Sequence, residues 1–303
     1  MIDNVKTAKR ILSDCYKYKS LAFVFGNGIN RYGRTDGANV SWGDMLINAW
    51  EAVSKRTVSE IGKGISFTEF YNIMELESTP KVVRENIVRI VDTWRPTDFE
   101  KMLQERLAEI DCPVLTTNFD GNIETGLTRY SMEDGKKFTD YYPWSVYYSN
   151  RRLYDPLDGF AVWHINGTRD YPRSLRLSLS EYVNLITRAR KYIHNDEAID
   201  NFAKKDVPSW NGHYTWLHLI FNSNLCFIGL GLDEQETFLR WLLIERIKYF
   251  RKFPERKKKA WYVCSKKDKP SEGKRMFLEY LGFEVICLPT YKNVYEGLLM
   301  DGK

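Results

Sequence analysis

Four short segments place residues capable of chemistry directly after an apolar run. The first is Gly26-Asn27-Gly28-Ile29-Asn30. Its glycines permit a tight turn and close backbone approach to a phosphate, and a turn kept small for steric reasons alone has the same composition. The second, Thr116-Thr117-Asn118-Phe119-Asp120, sets an amide and a carboxylate two residues apart. Asn118 suits a ribose hydroxyl or a water. Asp120 suits the orienting of a neighbour or the stabilising of positive charge, and either residue type also caps helices. The third, Val162-Trp163-His164-Ile165-Asn166-Gly167-Thr168, carries an imidazole whose ordinary pKa suits a general base; its apolar neighbours equally suit a core histidine. The fourth, Phe227-Ile228-Gly229-Leu230-Gly231-Leu232-Asp233, is a second glycine pair that opens toward a helix, with Asp233 placed as its N-cap.

Each segment follows a candidate strand. Strands are expected at Leu21–Phe25, Pro113–Thr117, Phe160–Ile165, Leu225–Leu230, Ala260–Cys264 and Phe283–Leu288. Their continuous apolar character fits strands buried on both faces. Helical periodicity is expected near Val5–Tyr18, Trp42–Lys55, Lys81–Trp94, Asp98–Ile110, Ser180–Tyr192, Glu234–Phe250 and Ser271–Tyr280. The alternation predicts an α/β fold, a parallel sheet covered by helices, with the whole chain 1–303 as one unit. Ligands of such sheets bind outside the carboxyl ends of the strands, so four chemistry-bearing strand ends imply one shared site. Two mostly helical stretches, about 42–111 and 169–223, are insertions expected to cap the crevice. A dehydrogenase-type dinucleotide site is disfavoured: Arg31 stands where GxGxxG needs its third glycine, and no acidic residue ends a second strand about twenty residues on.

Composition narrows the class. With 43% hydrophobic and 28% charged residues the chain is globular rather than disordered. A net charge of +5 over 303 residues permits an anionic ligand but does not by itself indicate a nucleic-acid binder, so no direct nucleic-acid partner is expected. The five cysteines form neither a CxxC pair nor a zinc knuckle, and several lie in apolar runs, as expected of free thiols in a reducing compartment. His213 and His218 are five apart, off helical ligand spacing, so no metal is expected. No secretory leader or bilayer-length apolar run is read, which makes cytoplasmic the expected location and a membrane partner unexpected. The basic run Arg251–Lys259 is expected to be a solvated loop, and the aromatic segment Asp140–Tyr148 a packed one; both are also candidate contact surfaces.

The motifs together resemble the SIR2-like, sirtuin-fold family. Gly26-Asn27-Gly28-Ile29-Asn30 resembles its GAGxS turn, Thr116-Thr117-Asn118-Phe119-Asp120 its T(T/Q)N(Y/F/I)D motif, Trp163–Thr168 its HG segment, and Gly229–Asp233 its late glycine turn. They occur in the family's order over residues 21 to about 250. The resemblance implies a Rossmann-like site for NAD as substrate, with a helical second lobe. By that likeness Gly26, Asn27, Gly28, Asn30 and Thr117 belong to the dinucleotide site, Asn118 holds the nicotinamide ribose, Asp120 supports it, and Gly229, Gly231 and Asp233 approach the adenosine side. Two departures matter. Protein-deacylating members carry a four-cysteine zinc module, which is missing here, so the zinc-free branch, many of whose bacterial members are anti-phage NAD hydrolases, is the better match. Asn166 stands where the family's histidine directly precedes the glycine, with His164 two residues earlier.

The resemblance implies an NAD glycohydrolase that splits the nicotinamide–ribose bond. The leaving group is cationic, so bond breaking needs no acid; Asn118 and Asp120 would stabilise the ribosyl charge and place water, and His164, or Asn166 in its stead, would complete the catalytic set. A SIR2-like module that only binds NAD or ADP-ribose as a sensor is the alternative, and an NAD-dependent deacylase or ADP-ribosyltransferase another. An NAD hydrolase must be held off in its own cell, so activation by homo-oligomerisation or by a separate sensor protein is expected, no sensor domain being read in the chain.

Overall fold

Leu21, Phe23 and Phe25 pack into one apolar cluster, and Ala22 and Val24 into another. That two-sided burial is what a continuous apolar strand requires. The computed structural model describes residues 13, 20–36, 41–54, 56–133, 142–194 and 201–300. Strand β1 (Leu21–Phe25) leads through a one-turn helix α1 (Gly28–Arg31) to α2 (Trp42–Val53), α3 (Phe67–Glu77), α4 (Pro80–Asp92) and α5 (Asp98–Glu109). The chain continues with β2 (Val114–Thr116), β3 (Thr128–Ser131), β4 (Val146–Ser149) and β5 (Val162–His164), then α6 (Leu179–Ile193) and α7 (Leu217–Asn222). The remainder alternates: β6 (Asn224–Ile228), α8 (Thr237–Lys252), β7 (Ala260–Ser265), α9 (Glu272–Tyr280), β8 (Phe283–Leu288) and α10 (Tyr291–Leu299).

The eight strands form one sheet in the order β3-β4-β5-β2-β1-β6-β7-β8. The six expected strands are all present and pair in parallel, as β5-β2-β1-β6-β7-β8. From β1 the chain builds outward first to β2 and β5, then on the other side to β6, β7 and β8. The order therefore reverses at β1, the topological switch point of a Rossmann-like sheet. Strands β3 and β4 are additions: they run antiparallel on the β5 edge, β4 at the end of the aromatic segment expected as a packed loop and β3 where no element was expected. Apart from residue 13, the helix expected at Val5–Tyr18 lies outside the described residues, and so does the cysteine at position 15.

Side-chain hydroxyls start most of the helices. Ser41, Ser66, Thr79, Thr97, Ser178, Ser271 and Thr290 each accept a hydrogen bond from the third residue of the helix they cap. Ser66/Glu69, Thr97/Glu100 and Ser178/Glu181 complete reciprocal capping boxes. Such caps are worth roughly 1 kcal/mol each. Helix α8 departs from this: it begins at Thr237, and its capping residue is Glu236, with no side-chain cap bond. Asp233 is therefore not the N-cap that the sequence suggested.

One face of the sheet is covered by α6, α7 and α8, the other by α5 and α10. Helices α2, α3 and α4 form a smaller lobe with a core of its own, built on Trp50, Tyr71, Met74, Ile87 and Trp94. Phe119 from the end of β2 and Leu175 and Leu177 from the second insertion close that core from below. The described part of the aromatic segment, Tyr142–Tyr148, is wholly buried, with Trp144 stacked on Trp216 and Tyr147 packed on Trp163. It is packed core, and not a contact surface. Residues 140 and 141 lie outside the described residues. No described helix is long and apolar enough to cross a membrane.

Candidate active site

The carboxyl ends of β1, β2, β6 and β7 open into a crevice of about 770 Å³ beneath the helical lobe, a size ordinary for a small-molecule site. Its floor is where two glycine turns cross. A Cβ on Gly26 would lie 2.6 Å from the carbonyl oxygen of Gly229, and one on Gly28 2.5 Å from the Gly229 Cα. The Gly28 N–H donates to the Gly229 carbonyl at 2.8 Å. These glycines are dictated first by the contact between the turns, which in turn leaves bare backbone facing the crevice. Gly229 itself has φ +66°, and Leu232, buried, is held at φ 49°. For a non-glycine residue that conformation is strained. The turn is pinned from three sides: Tyr262 donates to the Leu230 carbonyl at 2.8 Å, Arg240 to that of Leu232 at 3.1 Å, and Lys274 to that of Gly231.

One end of the crevice lies under the lobe. Trp42, Phe67 and Phe119 form its aromatic wall, with Trp42 edge-on to Phe119 at 6.0 Å. The indole N–H of Trp42 is enclosed there without a partner among the described residues. Gln235 accepts a hydrogen bond from the first amide of α3, at Phe67, at 2.8 Å, tying the crevice wall to the lobe. Asn118, next in the chain to Phe119, and Glu236, next to Gln235, also line the crevice. The Asn118 amide donates to the Gly26 carbonyl at 3.3 Å, and no described residue bonds its Oδ1. Asn166 sits behind both: its amide donates to the Thr117 carbonyl at 3.4 Å and reaches the Glu236 carboxyl. Glu236 is half-buried. Desolvation first, and the nearby Asp233 carboxylate second, push it up to about 7, against the opposing Asn166 bond. The other end is lined by Tyr262, Ser265, Asp268, Tyr291 and Tyr295, with Arg31 and Lys274 as cations.

A second set of polar groups lies behind the crevice and does not line it. Asn30, fully buried, donates to Asp120 at 2.5 Å and to Asn27 at 3.0 Å. The other oxygen of Asp120 accepts the Asn122 N–H at 3.1 Å, so this carboxylate clamps the β1 and β2 turns together. His164 is 1% exposed, with Nδ1 2.9 Å from the Asn118 carbonyl and Nε2 2.7 Å from Glu124. A carbonyl only accepts, so Nδ1 carries a proton, and a further proton is shared between Nε2 and the carboxyl. Burial drives Glu124 up. The same burial opposes the charged imidazole, and Glu124 more than offsets this, so His164 is raised as well. With both nitrogens engaged, His164 presents no base to the crevice in this conformation.

Of the residues singled out in the sequence, Asn27, Gly28, Thr117, Asn118, Gly229, Gly231 and Asp233 line the crevice. Gly26, Asn30, Asp120, His164 and Asn166 stand behind its wall. Glu236 was missed because Asp233-Glu234-Gln235-Glu236 reads as a helix entry. Asp155, His213 and His218 are grouped closely enough for a metal ion, beyond the amino ends of the strands. There His213 Nε2 is 2.9 Å from Asp155. Trp210 donates its indole N–H to His218 Nδ1 at 2.9 Å, and burial keeps His218 neutral by depressing it to about 3. The proton of His218 therefore sits on Nε2, leaving no lone pair for an ion. Compared with known protein families and with curated proteins, the chain matches none.

Proposed function

We propose that the protein is an NAD glycohydrolase that works in this crevice without a metal, with Asn118 and Glu236 as its reacting pair. The observation that carries the proposal is their placement at one aromatic end of a crevice at the switch point, with Asn166 bridging behind them. Nicotinamide is a flat, weakly polar ring, suited to the Trp42–Phe67–Phe119 wall. The glycine crossing with Arg31 suits a diphosphate, and the tyrosine-lined end suits adenosine. The free Oδ1 of Asn118 accepts a ribose hydroxyl and holds C1′ beside Glu236.

As the C1′–N bond breaks, its electron pair neutralises the nicotinamide ring and positive charge develops on the ribose. Glu236, as carboxylate, takes a proton from water while the water oxygen bonds to C1′. The products are nicotinamide, ADP-ribose and a proton. His164 acts at one remove, holding the Asn118 carbonyl through Nδ1. Activation by a second copy or a sensor protein remains part of the proposal, as does a role in defence.

The test is calorimetric titration of the protein with NAD, followed by product analysis after long incubation at high protein concentration. Saturable binding with release of nicotinamide and ADP-ribose is expected. Binding without products would favour the sensor alternative, and no binding would remove NAD from the site.

A further inference from the structure

Cysteines 23 residues apart are brought to neighbouring positions by the parallel pairing of β7 and β8. Cys264 lies opposite Cys287 in the register, and their sulfurs are 3.5 Å apart. Adjacent strands are spaced by about 4.8 Å, inside the Cα window of roughly 4.4–6.8 Å that a disulfide needs. Both side chains lie on the same face of the sheet, in the same apolar cluster. Closing a bond therefore requires side-chain rotation and not backbone movement. Both are free thiols. Cys264 is buried and lines the crevice, immediately before Ser265 and close to Asp268. Cys287 is half-buried, the sulfur that a solute reaches first.

We propose that Cys264 and Cys287 are a reversible disulfide pair, a modification site in the crevice wall that a low-molecular-weight disulfide closes. The Cys287 thiolate attacks one sulfur of the small disulfide, whose S–S bond breaks and releases one thiolate. Cys264 then loses its proton and attacks the Cys287 sulfur, expelling the second small thiol. Two protein thiols are oxidised and one small disulfide is reduced to two thiols. Burial, with the neighbouring Cys287 sulfur, pushes Cys264 up to about 12, which fits the resolving thiol and leaves attack to Cys287. The bond would staple the ends of β7 and β8 where the chain turns into Ser265–Asp268, stiffening the tyrosine-lined end of the crevice. The inference does not depend on what the crevice binds.

The experiment treats the full-length protein with oxidised glutathione, alkylates the remaining thiols, and maps peptides by mass spectrometry without reduction. A peptide linking Cys264 to Cys287 is expected, with two thiols lost per chain and recovered on adding dithiothreitol. In Cys264→Ser the reaction should stall as a mixed disulfide on Cys287, and in Cys287→Ser neither position should react. Amide exchange of residues 265–268 should slow by at least about tenfold on closure. A stable mixed disulfide on wild-type Cys287 with no linked peptide, or no reaction at either cysteine, overturns the pair. A linked peptide with unchanged exchange overturns its effect on the crevice.

Discussion

Two sets of polar side chains stand at the same carboxyl edge of the sheet and differ in what they bond. Behind the crevice, Asn30 holds Asp120 and His164 holds Glu124, each bond made within the protein. In the crevice, Asn118 keeps an oxygen that no described residue bonds, and Glu236 presents a carboxyl raised to about 7. Strand-end position alone marks both sets equally. Access to open volume separates them: the buried set bonds inward, and its spare oxygens, Asn30 Oδ1 and Glu124 Oε2, are sealed away from the crevice, whereas a group left with capacity beside open volume is available to a ligand.

The contrast is sharpened most by Asn118→Ala. If this amide positions the reacting ribose, NAD turnover should fall by about 100- to 1,000-fold with the melting temperature little changed; turnover near wild type would move the site elsewhere. Glu236→Gln comes next, with an expected loss of about 100-fold in kcat and near-wild-type NAD affinity by calorimetry. His164→Ala tests the other region. It leaves Glu124 buried without its partner, so stability should fall by about 3–5 kcal/mol in denaturant unfolding, while turnover per folded molecule falls only about tenfold. Retained stability with a Glu236-sized loss of turnover would turn His164 from clamp to base and dissolve the comparison.

The smallest effect is expected at Glu100, fully buried with one oxygen lacking a partner among the described residues. Desolvation foremost, opposed by the Thr97 amide, raises it to about 7. Its folded pKa lies above its unfolded value, so the stability it contributes is full below about 4.5 and is lost as pH rises through 7. Glu100→Gln should therefore raise the melting temperature by a few degrees at pH 8 and not at pH 4; an equal shift at both would refute the cause.

The parallel core was legible because its strands are buried on both faces, so Leu21–Phe25 and Leu225–Ile228 are apolar without interruption. Strand β3, with two exposed positions in Thr128–Ser131, has no such pattern, and the tyrosines of β4 resemble any packed loop. Helix α3 was announced by its Ser66/Glu69 capping box, a signal left unread because its apolar residues serve the lobe and not the sheet. At the site, the turns carrying Asn27, Thr117, Asn118 and Gly229 were found from glycine, amide and carboxylate after apolar runs. Burial of the His164 ring against Glu124 was not, because that pairing spans 40 residues and leaves no local pattern. Glu236 was hidden for the same reason: its distinction is a bond to Asn166 and a helix cap it does not make.

The most direct measurement is kcat/KM for NAD against pH, from about 5.5 to 8.5, in the wild type, Glu236→Gln and Glu124→Gln. A base must be deprotonated to act, so wild-type activity should rise with pH about a midpoint near 7. Glu124→Gln should keep that midpoint at reduced stability, and Glu236→Gln should lose both the rise and most of the activity. A rise near pH 7 that survives Glu236→Gln and disappears in Glu124→Gln would place the base in the buried layer and contradict the account.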